Sequence, residues 1–536
     1  LKLQRTQRST DDSSPARFRI PDWLLLVAVC AFFFFWKLSA FGLIGADEPR
    51  YAQVAREMLA RHDWITPTLG GTPWLEKPPL YYWQAMIAYR LFGVSDWAAR
   101  LPSAFDALLL VFAAYWFLGR FRRGSELDGA LTVAVAAGVV GYARAASMDM
   151  PLAASFTAAL LAWFAWLESL ERKYLAAFWG LLGLAMLAKG PVAPFLAAII
   201  LGMFTMLRRN PLAMARTVWL PGLAVSLAIT LPWYIAVQVR NPQFFRVFIL
   251  EHNLARFGTN LYHHTEPFWY YLPVAFLGWM PWSVLAVAAI VWSVRRIKAN
   301  DSDQFNTFLL IWIAVFLVFF SGSQSKLPGY LLPAIPAGLI LISQWLRARA
   351  STAPSLPLAA LHAGCASILI LPALMVHYLF LDRQHLVGRA ALMPLLVTVA
   401  VAVSITLLVL RHGWRVLRVA TLVPAIVAAG VLLRSGGETM NSTLSARSVV
   451  AALSEYGHDH LPVAAYLVPR ETEFGLAFYR DQVIPRYELG KVPAGEHLLV
   501  AAQGYPKGVA NAAGRKATFL RNLPAQKLDL YYVPPK

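Results

Sequence analysis

The chain has 536 residues, 58% hydrophobic and 14% charged, with a mean hydropathy of +0.52 and a formal net charge of +19. A soluble globular protein of this length would not stay in solution with that composition, which therefore indicates a polytopic membrane protein. The excess of Lys and Arg reads as membrane topology and attraction to anionic lipids, so membrane lipids are expected partners and nucleic acid is not, despite a pI of 10.0.

Residues 1–16 are polar, rich in Ser, Thr and Asp, and residues 1–21 read as a cytoplasmic tail. The first apolar run, 22–40, follows basic residues and has no small-residue cleavage site after it, so it reads as a retained helix rather than a signal peptide. It leads into Gly45-Ala46-Asp47-Glu48-Pro49-Arg50-Tyr51 and an external loop over 45–96. Within that loop the apolar spacing over 50–59 predicts a helix lying in the interface, and a second is expected after Pro79, with Tyr81, Tyr82 and Trp83 at headgroup level. Apolar stretches recur near 97–119, 127–145, 150–167, 174–188, 191–207, 217–239, 268–294, 306–321, 327–346, 356–380, 391–410 and 416–433. With the first run they make about thirteen spans, each able to cross a hydrocarbon core of ~30 Å as a helix. The expected fold is mainly α: a transmembrane domain over 22–433, with a second external loop at 240–267.

Basic residues fall in alternate connections. They are Arg17 and Arg19, then Arg120, Arg122 and Arg123, Arg172 and Lys173, Arg208, Arg209 and Arg216, Arg295, Arg296 and Lys298, Arg347 and Arg349, and finally Arg411, Arg415 and Arg418. That face is assigned to the cytoplasm. An odd number of spans then puts residues 434–536 on the opposite side. Their composition is that of a soluble domain, with helix expected at 445–456 and 472–479 and strand at 463–468 and 497–502, a small α/β layer. Cys30 and Cys365 both lie in expected spans, so no disulfide framework is indicated.

The charged motifs outside the basic loops converge on one face: Asp47-Glu48-Pro49-Arg50-Tyr51, Glu76-Lys77-Pro78, Asp149, Lys189, Glu251-His252 with Arg256-Phe257, His263-His264, and Lys326-Leu327-Pro328 with Tyr330. Of these, the Asp47–Tyr51, Glu76–Pro78, Glu251-His252 with Arg256-Phe257 and Lys326–Pro328 with Tyr330 motifs, together with Arg56-Glu57-Met58-Leu59, Asp63-Trp64, Pro267-Phe268-Trp269-Tyr270-Tyr271 and Pro281-Trp282, resemble the 4-amino-4-deoxy-L-arabinose lipid A transferases. These are inner-membrane glycosyltransferases of the GT-C class, related to protein O-mannosyltransferases. The resemblance runs in matching order from about residue 22 to about residue 346, and the C-terminal domain fits it in placement only. It implies transfer of aminoarabinose from undecaprenyl phosphate to a lipid A phosphate at the periplasmic face, a lipopolysaccharide modification tied to polymyxin resistance. A monomer is expected.

The residues themselves support that type of reaction. Sugar nucleotides are cytoplasmic, so a glycosyltransferase with an outward-facing site needs a lipid-carried donor. Breaking the sugar C1–O bond builds positive charge on the sugar and negative charge on the departing phosphate, which calls for carboxylates near one and cations near the other. Lys77 and Arg256 are the first candidates for the phosphate, followed by Arg50, Lys326 and Tyr330, with Tyr51 and Lys189 also assigned to substrate binding. Asp47 is placed at the acceptor or anomeric centre and Asp149 at a sugar-amine or supporting contact. Glu76 and His252, with His263 and His264 nearby in sequence, are donors that could hold zinc or a similar divalent ion, although their spacing matches no closed structural site.

Each assignment has a plainer counterpart. Asp47, Glu48 and Asp149 stand where acids cap helix N-termini. Lys77, Lys189 and Lys326 could snorkel to headgroups. At the level of function, a related GT-C enzyme could move mannose or another sugar to a protein or glycolipid, which would require Asp47 as general base. A transporter would concentrate polar residues near the midplane and often show internal repeats, and this sequence does neither.

Overall fold

In the computed structural model, which describes residues 21–255, 266–299, 301, 303–380, 389–457 and 460–535, the first helix shows how irregular backbone is tolerated at membrane depth. α1 (Asp22–Cys30) runs into a π-helical turn, Ala31–Phe35, and the chain then leaves helical geometry before α2 (Asp47–Ala60). Carbonyls freed in this way need partners that lipid cannot supply. Two buried arginines provide them. Arg144 donates to the carbonyls of Phe33, Trp36 and Lys37 at 3.2, 2.9 and 2.7 Å. Arg100 donates to those of Leu38, Phe41 and Gly42 at 3.0, 2.8 and 3.0 Å. Arg100 belongs to α4 (Asp96–Phe121), and Arg144 directly follows α6 (Ala137–Ala143).

The two helices expected in the loop after α1 are present, but Tyr81 and Tyr82, expected at headgroup level, are fully buried because they pack against α2. α2 buries Tyr51, Ala52, Val54, Ala55 and Met58 against Tyr81, Tyr82, Ala85, Met86 and Tyr89 of α3 (Leu80–Phe92). Between them β1 (Thr68–Leu69) and β2 (Thr72–Pro73) form a short antiparallel ribbon. Its turn, Gly70-Gly71, takes φ of 61° and 76°, the left-handed region that glycine enters without steric cost.

Further helices complete the bundle: α5 (Glu126–Val135), α7 (Asp149–Ser169), α8 (Arg172–Lys189), α9 (Val192–Leu207), α10 (Pro211–Thr217) and α11 (Leu220–Arg240). Burial sorts centre from rim. The apolar stretch of α7 is 83% buried and that of residues Pro328–Ala348 is 94% buried, whereas α11 and Leu392–His412 are 22% and 17% buried and present their apolar faces outward, as lipid-facing helices do. Trp163 and Phe164 of α7 pack on Phe204, Phe305 and Phe308, which fixes α7 as the helix around which the others assemble.

Helix is found in every segment expected to span, but not always as one straight rod. Among the described residues eight helices are long and apolar enough to cross a membrane, or ten if each bent pair counts once, which makes the molecule a multi-pass membrane protein. The expected span 268–294 is two helices, Tyr271–Trp279 and Ser283–Lys298, set at 112°. Pro281 lies at the break and has no N–H to continue the ladder. The expected span 127–145 is likewise bent by 60°, between α5 and α6. The two breaks meet, because the Ala137 N–H donates to the Met280 carbonyl at 2.7 Å. A side chain at Gly138 would come within 3.1 Å of the Gly278 backbone, so a glycine pair is what permits this crossing.

The final membrane helix, Leu417–Leu444, continues past residue 433 before the soluble part begins. That part holds helices Ala446–Ser454, Arg470–Arg480 and Pro506–Ala513 around a four-stranded sheet of order β3-β4-β6-β5 (Val463–Tyr466, His497–Ala502, Leu528–Val533, Thr518–Leu523). β3 and β4 are parallel and the remaining pairs antiparallel. The four elements expected here are present; the β5–β6 hairpin was not anticipated. This domain sits on the 45–96 loop. Arg56 donates to the Phe478 carbonyl at 2.8 Å and pairs with Asp481 at 2.8 Å, Arg447 pairs with Asp96 at 2.7 Å, and the Tyr479 hydroxyl accepts the Leu43 N–H at 2.7 Å. The loop and the domain therefore occupy the same end of the bundle.

Candidate active site

α2 begins at Asp47, which places two acids in its first turn where the helix dipole favours them. Their side chains diverge. Asp47 is exposed and pairs with Arg50 at 2.5 Å. Glu48 turns inward. The Arg50 guanidinium lies 5.1 Å from the Tyr51 ring, 5.1 Å from that of Trp74 and 5.8 Å from that of Phe474 in the C-terminal domain, an aromatic setting that suits a weakly hydrated cation. Burial holds the Tyr51 phenol well above its usual range, and the Asp47 carboxylate adds to this; Arg50 opposes the shift, and the Asp149 carboxylate again raises it. Tyr51 thus stands within electrostatic reach of both predicted acids.

Asp149 opens α7, and Lys189 closes α8; each charge is the one its helix end favours. The two side chains form a direct, mostly buried ion pair. Ser147 completes the setting, its hydroxyl donating to the second Asp149 oxygen at 2.7 Å. The Lys189 ammonium also lies 4.9 Å from the centre of the Tyr330 ring. Gly329 is needed for this approach, because a Cβ there would stand 2.8 Å from the Asp149 carboxyl carbon and 2.8 Å from the Tyr142 hydroxyl.

Lys77, Lys189, His252, Ser323, Ser325 and Tyr330 share a cavity of about 410 Å³ with a wall of Leu152, Phe156, Val192, Phe195, Leu196, Phe248, Phe316, Phe319 and Phe320. Ammonium groups and hydroxyls border a continuous apolar surface, the pattern that receives an amphiphile with an anionic head. His252, carried on the π-helical segment Phe245–Ala255, faces Glu76 at 3.7 Å between its Nε2 and the carboxylate. Among the described residues no three His, Cys, Asp or Glu side chains gather as a metal site. Glu76 and His252 alone would leave the other positions around a zinc ion to substrate or solvent. Lys326 is buried and donates to the Ser323 carbonyl at 2.6 Å, so it supports the cavity wall rather than lining it. Arg256, His263 and His264 lie outside the described residues.

The predicted site residues therefore form two adjoining groups: Asp47, Arg50 and Tyr51 at the start of α2, and Lys77, Lys189, Asp149, Tyr330, His252 and Glu76 around the cavity head. Sequence reasoning missed the groups beneath them, above all Arg100, which makes a bidentate pair with Glu48. The signal was present: an arginine inside the apolar stretch 97–119 is an expensive residue that calls for a partner.

Residues 76–235 match the family model described as dolichyl-phosphate-mannose-protein mannosyltransferase. The chain is 30% identical over 384 residues to the undecaprenyl phosphate-α-4-amino-4-deoxy-L-arabinose arabinosyl transferase of Shewanella sediminis, covering 70% of this chain and 69% of the relative. It is 34% identical to a namesake in Sodalis glossinidius over 55% of this chain and 53% of that one. In three dimensions it is similar to the crystal structure of ArnT from Cupriavidus metallidurans bound to undecaprenyl phosphate, with a TM-score of 0.78, 24% identity, and 95% and 97% of the two chains covered. That likeness establishes the fold over nearly the whole chain, including the C-terminal domain.

Proposed function

As a member of the undecaprenyl phosphate-α-4-amino-4-deoxy-L-arabinose arabinosyl transferase family, to which this chain belongs, the protein is a membrane glycosyltransferase with an undecaprenyl-phosphate-linked donor, and we propose that its acceptor is a phosphate of lipid A. The observation that carries this reading is the cavity in which Lys77, Lys189 and Tyr330 meet an aromatic, apolar wall. A polyprenyl chain would lie on that wall with its phosphate at the ammonium groups. In the reaction the sugar C1–O bond to the undecaprenyl phosphate breaks and a bond from C1 to an acceptor phosphate oxygen forms. The departing phosphate gains negative charge as it leaves, so the ammonium groups bind the transition state more strongly than the donor. The acceptor phosphate is already ionised near neutral pH and needs no general base, which leaves Asp47 to orient and balance charge. Mass spectrometry of lipid A from cells with and without this protein tests the reading. An aminoarabinose increment that disappears on deletion is expected, and identical spectra would overturn it.

The orientation belongs to the same proposal: an inner-membrane protein with the 45–96 loop, the C-terminal domain and the cavity head in the periplasm, and the arginine-rich connections in the cytoplasm. With Cys30 and Cys365 replaced by Ala, a cysteine at exposed Thr72 or exposed Lys491 should react with a membrane-impermeant maleimide added outside spheroplasts. One at Arg208 should react only after lysis. The reverse pattern would invert the topology.

A further inference from the structure

Glu48 and Arg100 are buried and neither lines the cavity, yet they use every hydrogen-bonding position they have. Arg100 is fully buried, and its five N–H groups reach five acceptors: both oxygens of Glu48 at 3.0 and 2.7 Å, and the carbonyls of Leu38, Phe41 and Gly42 at 3.0, 2.8 and 3.0 Å. Glu48 in turn accepts the Ala146 N–H at 2.7 Å on Oε1 and the Ile44 N–H at 2.9 Å on Oε2. One carboxylate thus binds the chain three residues before Asp47 and the chain three residues before Asp149. These two segments are otherwise far apart in sequence and carry the two predicted acids of the site.

We propose that Glu48, clamped by Arg100, is a positioning residue that fixes the Asp47 end of α2 against the Asp149 end of α7. The inference rests on the reading above, in which both acids serve sugar transfer. A lysine in place of Arg100 could balance the charge of Glu48 but could not make the planar fork or hold three carbonyls. Glutamine in place of Glu48 would keep the length but put an amide NH2 against an N–H donor and leave the arginine uncompensated. Lys77 stands before α3 and Lys189 at the end of α8, neither on a segment that Glu48 ties down, so donor binding should change less than the geometry of the reacting groups.

The test measures kcat and KM for an undecaprenyl-phosphate-linked sugar donor in purified, detergent-solubilised Glu48→Gln, Glu48→Asp and Arg100→Lys proteins, with thermal stability followed in parallel. A fall in kcat of about 100-fold with KM within about two-fold of the parent is expected, the size of effect that a displacement near 1 Å produces. Parental kcat in folded Glu48→Gln would overturn the proposal, and so would complete rescue by Arg100→Lys, which would reduce the pair to charge balance. If the Glu48 variants do not fold, Ala146→Pro is the second test, since it keeps both partners of the Glu48–Arg100 pair and removes the N–H that ties it to the Asp149 segment, while its ring also restricts the backbone at 145 and 146. The same split is expected there, and parental kcat would sink the idea. Asp47→Asn and Asp149→Asn measured alongside separate the two levels. If those variants retain parental kcat while Glu48→Gln does not, the assignment of the acids has failed; if they lose activity while Glu48→Gln and Ala146→Pro keep it, the positioning inference alone has failed.

Discussion

Lys189→Ala is expected to reduce transfer by about 100-fold or more and to lower the thermal stability of the protein. The loss has two parts. The substitution removes an ammonium from the head of the cavity, and it leaves Asp149 mostly buried beside Ser147 and Gly329 without its counter-charge. Removing one partner of a buried pair costs about 3–5 kcal/mol when the site is fully enclosed, and the partial access of this pair to the cavity places the expected cost at the lower end. The double variant Lys189→Ala/Asp149→Asn isolates the stability part, because it removes the stranded charge without restoring either charged group of the site. Stability should return in the double variant while activity stays low. Recovery of activity along with stability would show that the pair is only structural.

Lys77→Ala is the second large effect, and it should act on kcat more than on stability. Lys77 lines the cavity from the motif Glu76-Lys77-Pro78, where the chain crosses from the β1–β2 ribbon to α3. A charge-assisted contact in a site shielded from water contributes about 1.5–3 kcal/mol, which is roughly a 10- to 150-fold change in rate. The contact strengthens as the phosphate acquires its second negative charge, so the loss should fall chiefly on kcat. Steady-state kinetics on purified protein with unchanged melting behaviour would read this out. Near-parental kcat would mean that Lys77 only anchors the loop to lipid headgroups.

Much of this arrangement was legible in the residues because it depends on local patterns. The apolar spacing after Asp47 indicated the helix α2, and Pro79 marked the entry to α3. Alternation of basic loops implied that the C-terminal domain would share an end with the 45–96 loop, and the two are in contact through Arg56, Asp481 and Tyr479. What escaped was the part set by long-range geometry. Nothing near Glu48 in sequence indicates that its partner lies in the middle of an apolar helix at position 100, or that Ala146 would donate to the same carboxylate. The bends at 136 and at 280–282 were hidden for a different reason: hydropathy measures only how long an apolar stretch is, and 268–294 is long enough to read as one span although its two helices meet at 112°. Lys326 shows the limit of reading a charge by its loop, since it is buried and its ammonium donates to the Ser323 carbonyl within its own turn.

The most direct test of the central claim is transfer by the purified full-length protein in detergent, supplied with undecaprenyl phosphate-linked 4-amino-4-deoxy-L-arabinose and lipid A and followed by mass spectrometry. Lipid A carrying one or more aminoarabinose units on phosphate is expected, with undecaprenyl phosphate released in equal amount and the reaction lost in Lys77→Ala. Unmodified lipid A, together with transfer of a sugar from a polyprenyl phosphate to a protein hydroxyl under the same conditions, would contradict it.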